Sequence, residues 1–261
     1  MLDIAIATRS ERGKRENNED DLSAGRVGSG WYAVLADGAG GHAHGAEASQ
    51  IAVDCVEEVM HREEPQFSPE HLHHTVLAAH AEVQRHQQPG DGASRMHSTI
   101  VVLWVDGSSD RALWSHVGDS RLYRLRNGAI DLVTSDDSVV QRMVDAGLLT
   151  AQQAQHHPKK NQLIAALGIQ DAVEPHTLAQ PVAIEEGDAF LLCSDGWWDS
   201  LEESVITDTL NDASSPDEWL TAMQRHIEAL DHPRQDNFSA VAVWVGDPGA
   251  TTRIMGDVTL P

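Results

Sequence analysis

The chain has 261 residues, 41% of them hydrophobic, and a formal net charge of −23 at pH 7. That length suits one large domain or two small ones, and the apolar fraction allows a sizeable core. The charge disfavours nucleic acid and anionic membranes as partners.

Residues 4–8 read as a first strand and 31–36 as a buried one. From 46 to 60, apolar residues recur at Ala48, Ile51, Ala52, Cys55, Val56 and Val59, a helical stripe with Glu47, Gln50, Asp54 and Glu57 on the other side. Residues 70–87 read as a second amphipathic helix through Leu72, Val76, Ala79 and Val83, followed by a glycine-containing loop at 89–94. Strand-like runs follow at 99–105, 112–117 and 121–125. Asn127-Gly128 is the sharpest hairpin signal in the chain and joins the last of these runs to 129–133. Residues 138–146 are helical in pattern, and Thr150 reads as the cap of a further short helix. Residues 182–194 return to strand, 218–230 to helix and 239–245 to a final core strand. Strands flanking two central helices and a later pair suit an α+β layered sandwich. One domain over 1–246 is expected, with 247–261 as a loose tail.

Four short phrases carry the chemistry: Asn18-Glu19-Asp20, Asp37-Gly38-Ala39-Gly40-Gly41, Ser194-Asp195-Gly196 and Asp236-Asn237. Asp37 and Asp195 each end an apolar run, Asp236 stands just ahead of one, and Asp20 lies in the polar stretch before Trp31. Acidic residues at the mouths of buried strands, drawn from both ends of the chain, can converge on one cleft. Carboxylates are hard oxygen ligands suited to Mg²⁺ or Mn²⁺ rather than to zinc. Taken singly, Asp-Gly is a common turn signal, and Asp91-Gly92 and Asp106-Gly107 are read as turns only. Histidine-based zinc binding fails on spacing: His71, His73 and His74 do not share a helical face, and no His-Glu-x-x-His occurs. His42 and His44, beside the glycine loop, are the histidines best placed to move a proton.

The phrases resemble, in order, the motifs of the metal-dependent protein phosphatases of the PPM family, type 2C, in their bacterial form. Arg15 to Asp20 looks like the family's opening motif, and Asp37 to His42 with Gly45, Glu47 and Ser49 like its second. Ser98-Thr99, Val117-Gly118-Asp119-Ser120-Arg121, Ser194-Asp195-Gly196 and Asp236-Asn237-Phe238-Ser239 complete the set, from about residue 4 to 245. The resemblance implies a four-layer αββα sandwich, two antiparallel sheets flanked by helices, with metals in a cleft at one end. It implies Asp37 as the ligand bridging two Mn²⁺ or Mg²⁺ ions and the Gly38 carbonyl as a ligand of one. Asp195 and Asp236 would hold the other, with Asp20 and Glu19 acting directly or through water. Arg15 would bind the substrate phosphate, and Asp119 would hold a third, weaker ion; a turn residue is the other reading of Asp119. Residues 138–167 correspond to the family's flap, although the stripe Val139, Val140, Met143 and Val144 reads equally as core packing. Arg121 is expected in a buried ion pair and Trp197-Trp198 against the sheet.

Three positions depart from the family pattern: Ala39, where Met or His is usual, His97 in place of Gly, and Asp137, where His is common. None removes a metal ligand. The implied activity is hydrolysis of phosphoserine and phosphothreonine in proteins by metal-activated water, without a phosphoenzyme; neither cysteine opens a Cys-x5-Arg loop. The alternatives are a catalytically weak regulatory module of the same fold and a small-molecule phosphomonoesterase. Expected partners are phosphorylated proteins, substrates of a separate Ser/Thr kinase, as in bacterial signalling or control of type VI secretion; no nucleic acid or membrane partner is expected, and a monomer is. Cys55 and Cys193 sit in apolar runs and read as buried free thiols. No signal-like segment and no run of roughly 20 apolar residues occurs, so the expected location is the cytoplasm.

Overall fold

The computed structural model describes residues 2–39, 43–62, 65–87 and 95–248. The expected loop at 89–94, the Asp91-Gly92 turn, Gly40, Gly41, His42 and most of the 247–261 tail lie outside them.

Two sheets form, antiparallel at every pairing. The first runs β2 (Asp20–Val27), β3 (Gly30–Ala39), β5 (Ile100–Asp106), β6 (Arg111–Val117) and β10 (Val182–Ala183), with β4 (His97–Ser98) on β3 and β9 (His176–Thr177) on β6. The second runs β1 (Ile4–Glu11), β12 (Phe238–Val245), β11 (Ala189–Cys193), β7 (Arg121–Arg126) and β8 (Ala129–Leu132). Side chains alternate across each strand, and both faces are buried, which is why the central strands read as unbroken apolar runs. Ala33, Leu35, Val101, Leu103, Phe190, Leu192, Val241 and Val243 meet between the sheets. The opposite face of the first sheet packs Val34, Ala36, Ile100 and Val102 against Ala48, Ala52, Val56, Leu72, Val76 and Val83 of α1 (Ala43–Arg62) and α2 (Pro69–His86). The outer face of the second sheet packs Leu191, Ala240, Ala242 and Trp244 against Ile206, Trp219, Leu220, Met223 and Ile227 of α6 (Glu203–Asp212) and α7 (Pro216–Ala229). The order helix, sheet, sheet, helix is the expected αββα sandwich.

Local signals behave as their chemistry requires. Asn127 and Gly128 both take positive φ, 52° and 76°, and close the β7–β8 hairpin. Ser68, Ser138, Thr150 and Ser215 cap α2, α3 (Val139–Asp145), α4 (Ala151–Gln155) and α7, Thr150 with a full capping box. Asp106 is the expected turn residue, accepting bonds from Ser108, Ser109 and Ser29. Both cysteines are free thiols, Cys193 buried and Cys55 half-buried.

One expectation is corrected, and one strand carried no signal in the sequence. The single strand over 182–194 is two strands in different sheets, because Glu185, Glu186, Gly187 and Asp188 break the apolar run. Gly187 turns there at φ 92°, and buried Asp188 takes a bidentate grip from Arg126 at 2.6 Å per bond. The polar stretch 20–27 is an edge strand, β2, whose half-solvated face needs no apolar pattern. Arg126→Ala leaves the wholly buried Asp188 carboxylate without its counter-ion. The expected loss is about 3 kcal/mol of stability, read from the urea midpoint of the metal-free protein; an unchanged midpoint would refute this account of the crossover.

Candidate active site

The five aspartates read as metal ligands, Asp20, Asp37, Asp119, Asp195 and Asp236, lie at one end of the two sheets. Asp20 opens β2 directly opposite Asp37 near the end of β3, so the β2–β3 register itself places two like charges side by side. Asp119 lies in the three-residue link by which the chain passes from β6 in the first sheet to β7 in the second. Asp195 begins α5 (Asp195–Trp198) where β11 ends, and Asp236 precedes β12, its neighbour. Ser194 ties the sheets together here: its Oγ donates to Asp20 Oδ2 at 2.8 Å and accepts from the Ser239 N–H at 3.0 Å.

Close backbone approach explains the glycines. A Cβ on Gly38 would overlap the Gly45 carbonyl, and one on Gly45 would overlap the Glu19 carboxylate. The start of α1 is thereby held against the Glu19-Asp20 corner, where Ser49 Oγ also donates to the Glu19 carbonyl at 2.6 Å. A Cβ on Gly196 would overlap the Asn237 carbonyl, so α5 and the approach to β12 lie against each other.

The electrostatics are those of anions gathered out of water. Burial raises Asp37 well above the usual carboxylate range, and the charges of Asp20, Asp195, Asp119 and Asp236 all push the same way. Asp119 is raised likewise, by burial and then by Asp195 and Asp136, against the pull of Arg121. Burial pushes Asp20 up to about 7 despite hydrogen bonds from Ser239 and Ser194, and Asp195 up to about 6 with Asp236 adding to the effect. Asp20 Oδ1 is buried with no hydrogen-bond partner among the described residues. An oxygen-only donor set, mutually repelling and with an orphaned oxygen, fits a hard divalent cation. No group of three or more His, Cys, Asp or Glu side chains among the described residues is drawn close enough to hold an ion as it stands. The aspartates are gathered but open, which suits ions that keep several waters and take only one or two carboxylates each.

Arg15 reaches the same mouth. Its Nη2 lies 2.5 Å from Asp236 Oδ2, with the side chain 58% exposed. Ala39 is exposed at the rim beside His97. His44 Nδ1 is buried with no hydrogen-bond partner among the described residues. Arg121 makes the expected ion pair, with Asp136, and its guanidinium also lies 3.6 Å from the centroid of the Trp198 ring. Trp197 is wholly buried beside Phe238, as expected, whereas Trp198 is half-buried and donates Nε1–H to the Asp119 carbonyl at 3.0 Å. From the 138–167 segment, Asn161 Nδ2 points to Asp195 Oδ2 at 3.4 Å and Lys160 pairs with Asp199.

Several organising residues escaped the sequence reading. Asn237 is buried and staples the N-terminal loop, its Nδ2 donating to the Arg12 and Asn17 carbonyls and its Oδ1 accepting the Glu19 N–H. Thr99 accepts the Asp37 N–H and bonds Ser120, so it joins the Asp37 strand to the Asp119 turn. Both lie in recognised phrases, but nothing in composition or spacing marks a polar side chain as one that bonds to distant backbone.

All four resolved shifts are upward. Between the ordinary carboxylate value of 3.8 and about 7, the folded metal-free protein therefore holds protons that the unfolded chain has released. Its stability falls as pH rises through that window. Thermal unfolding in chelator should give a lower midpoint at pH 8 than at pH 5, and Asp37→Asn should flatten the difference. A midpoint that rises with pH would contradict the buried-carboxylate account.

Comparison with known proteins agrees with this geometry. The family model described as protein phosphatase 2C matches residues 8–237. Serine/threonine protein phosphatase PstP of Mycobacterium tuberculosis is 34% identical over 248 residues, covering 94% of this chain and 46% of that protein. The chain thus spans about half the length of that relative. Protein phosphatase PhpP of Streptococcus pneumoniae is 33% identical over 213 residues, 75% of this chain and 79% of that protein. The crystal structure of the PstP catalytic domain in complex with two manganese ions superposes with a TM-score of 0.79 at 32% identity, covering 95% of this chain and all of that one. The sandwich, the ordered motifs and these matches establish that the chain belongs to the protein phosphatase 2C family.

Proposed function

We propose that this chain is a Mn²⁺- or Mg²⁺-dependent protein serine/threonine phosphatase. The observation that carries the reading is the convergence of Asp20, Asp37, Asp119, Asp195 and Asp236, mutually repelling, beside an exposed Arg15. In this reading Asp37, which feels all four of the others, and the Gly38 carbonyl would help to hold the metal pair. Asp195 and Asp236 would hold it too, with Asp20 and Glu19 contributing directly or through water, and Asp119 would take a third ion. The two manganese ions of the PstP catalytic domain support the pair. When bound, such ions supply Lewis acidity, making water acidic and neutralising phosphoryl charge.

The chain's own groups do the rest. Arg15 exchanges its contact with Asp236 for the substrate phosphate, which a guanidinium meets as a rigid fork. Asn237 keeps the Arg15 loop and the Glu19-Asp20 corner at a fixed distance from Asp236 through its three backbone bonds. Asn161 and Lys160 bring the 138–167 segment, the flap in this reading, against the Asp195–Asp199 side of the site. Residues 1–246 are the catalytic domain in the same reading. The substrates are phosphoproteins made by a separate Ser/Thr kinase, and the enzyme is a cytoplasmic monomer; two free thiols agree with a reducing compartment. No helix among the described residues is long and apolar enough to cross a membrane.

Hydrolysis of a phosphothreonine peptide and of an aryl phosphate, with Mn²⁺ and with chelator, tests the activity. Phosphorylated metabolites in the same assay separate a protein phosphatase from a small-molecule one. Asp37→Asn should lose at least about a hundredfold in turnover at saturating Mn²⁺. Arg15→Ala should raise KM about tenfold while calorimetry shows Mn²⁺ binding within about twofold of wild type. Near-wild-type turnover in Asp37→Asn would remove the two-ion reading, and a large loss of Mn²⁺ affinity in Arg15→Ala would make Arg15 an organiser of the carboxylates instead.

A further inference from the structure

Asp137 stands outside the cleft, and nothing in the proposed chemistry uses it, yet its carboxylate is buried and fully engaged. One oxygen, Oδ2, accepts the Gly118 N–H at 3.0 Å. The other, Oδ1, accepts from His176 Nε2 at 2.9 Å. The Asp137 backbone N–H donates to the Gly118 carbonyl at 3.0 Å, so the peptide units on both sides of Gly118 are held by one residue. Gly118 takes φ 100°, a conformation that only glycine adopts without strain, and it directly precedes Asp119.

The rest of the Asp119 turn is anchored from the far side. Trp198 Nε1 donates to the Asp119 carbonyl, Ser120 bonds Thr99 at 2.7 Å, and Arg121 pairs with Asp136. On the entering side the grip comes from Asp137. The Asp137 carboxylate is in turn aimed by His176, which pairs in register with His116 across β6 and β9 and stacks on it at 4.8 Å between ring centroids. His116 is itself fixed, since its Nε2 donates to the Ser135 carbonyl at 2.9 Å. A chain of contacts therefore runs from His176, whose side chain is 51% exposed, through Asp137 to the backbone that presents Asp119.

We propose that Asp137 and His176 form a positioning pair that sets the Asp119 carboxylate by fixing the peptide entering it. The proposal rests on the reading of Asp119 as the ligand of a third ion. Ligand placement is sensitive to displacements well under a bond length, and a glycine freed of its partner has many conformations within reach. Removing the Asp137 carboxylate loosens Asp119 while leaving Asp20, Asp37, Asp195 and Asp236 in place. An asparagine keeps the Gly118 bond, because its carboxamide oxygen accepts the same N–H.

The test uses Asp137→Ala, Asp137→Asn, His176→Ala, Asp119→Ala and the double variant Asp119→Ala/Asp137→Ala. In the metal-free protein, hydrogen exchange of the Gly118 amide should rise about tenfold or more in Asp137→Ala, a few-fold in His176→Ala, and stay near wild type in Asp137→Asn. Calorimetry should show the two tight Mn²⁺ sites of Asp137→Ala and His176→Ala within about twofold of wild type, while kcat on a phosphothreonine peptide falls about tenfold and about threefold, with KM little changed. The double variant should be no slower than Asp119→Ala, since two residues acting through one group do not add. If Asp119→Ala is impaired but Asp137→Ala turns over at the wild-type rate, or the double variant shows additive loss, the positioning role is overturned and the reading of Asp119 stands. Wild-type turnover in Asp119→Ala overturns both. Should Asp137→Ala fail to fold, His176→Ala decides, because its exposed ring can be removed without opening the core. Unchanged exchange and kcat in that variant would overturn the pair.

Discussion

Five carboxyl groups gathered at one end of the sheets, four of them withdrawn from water, are the constraint on which the rest of this molecule depends. Burial and neighbouring charge raise Asp20, Asp37, Asp119 and Asp195, so the cluster opposes folding at neutral pH unless cations offset it. A marginal scaffold would relieve this by moving the segments apart. Here the segments leave little freedom to do so, because the aspartates sit on the ends of strands whose remaining residues form three apolar layers. The sandwich therefore does more than display the site. Its two-sided burial is what allows a repelling cluster to be kept assembled.

The topology decides which residues meet. β2 and β3 put Asp20 opposite Asp37 by simple antiparallel register, with no help from a long-range contact. The other three arrive where the chain changes layer or element: Asp119 between sheets, Asp195 from strand to helix, Asp236 on entry to the last strand. Those junctions carry the polar side chains that bond across the seam, namely Ser194 to Asp20, Asn237 to Glu19 and Ser120 to Thr99. The same junctions need glycine where two backbones approach too closely for a Cβ, as at Gly38 with Gly45 and at Gly196. The Asp-Gly phrases that resemble simple turns in sequence are thus the points at which layers are joined.

This also separates what was legible in the sequence from what was not. Strands buried on both faces, such as 100–106 and 238–245, advertise themselves by unbroken apolar runs, and α1 and α2 by their stripes. The edge strand β2 does not, since one side of it faces solvent and its composition is that of a loop. The split between β10 and β11 was hidden because both halves are strand-like, and only the polar residues at 185–188 mark the change of sheet. At the site, the aspartates and Arg15 stood out through motif order. Trp198 did not, because its role is to carry Arg121 on its ring and bond the Asp119 carbonyl, contacts that depend on residues far away in the chain. Periodicity reports which face a residue takes. It carries no information on which distant backbone atom a polar tip will reach.

The overall charge bears on the same point from outside. With 41 acidic residues against 18 lysines and arginines, the protein repels a phosphate at long range, whatever the site does locally. Recognition must then be short-ranged, and solvent salt confines the repulsion to roughly 10 Å. At the site Arg15, Lys160 and Asn161 each rest against an acidic partner: Asp236, Asp199 and Asp195 respectively. These contacts keep the cationic groups at the mouth without leaving them to attract anions indiscriminately. In the proposed reading, a phosphorylated side chain that displaces Asp236 from Arg15 would gain a guanidinium already in place, and would do so only where metal neutralises the carboxylates behind it. On that reading, selectivity for phosphate in this acidic protein would follow from coupling between the arginine and the aspartates, not from a positive surface.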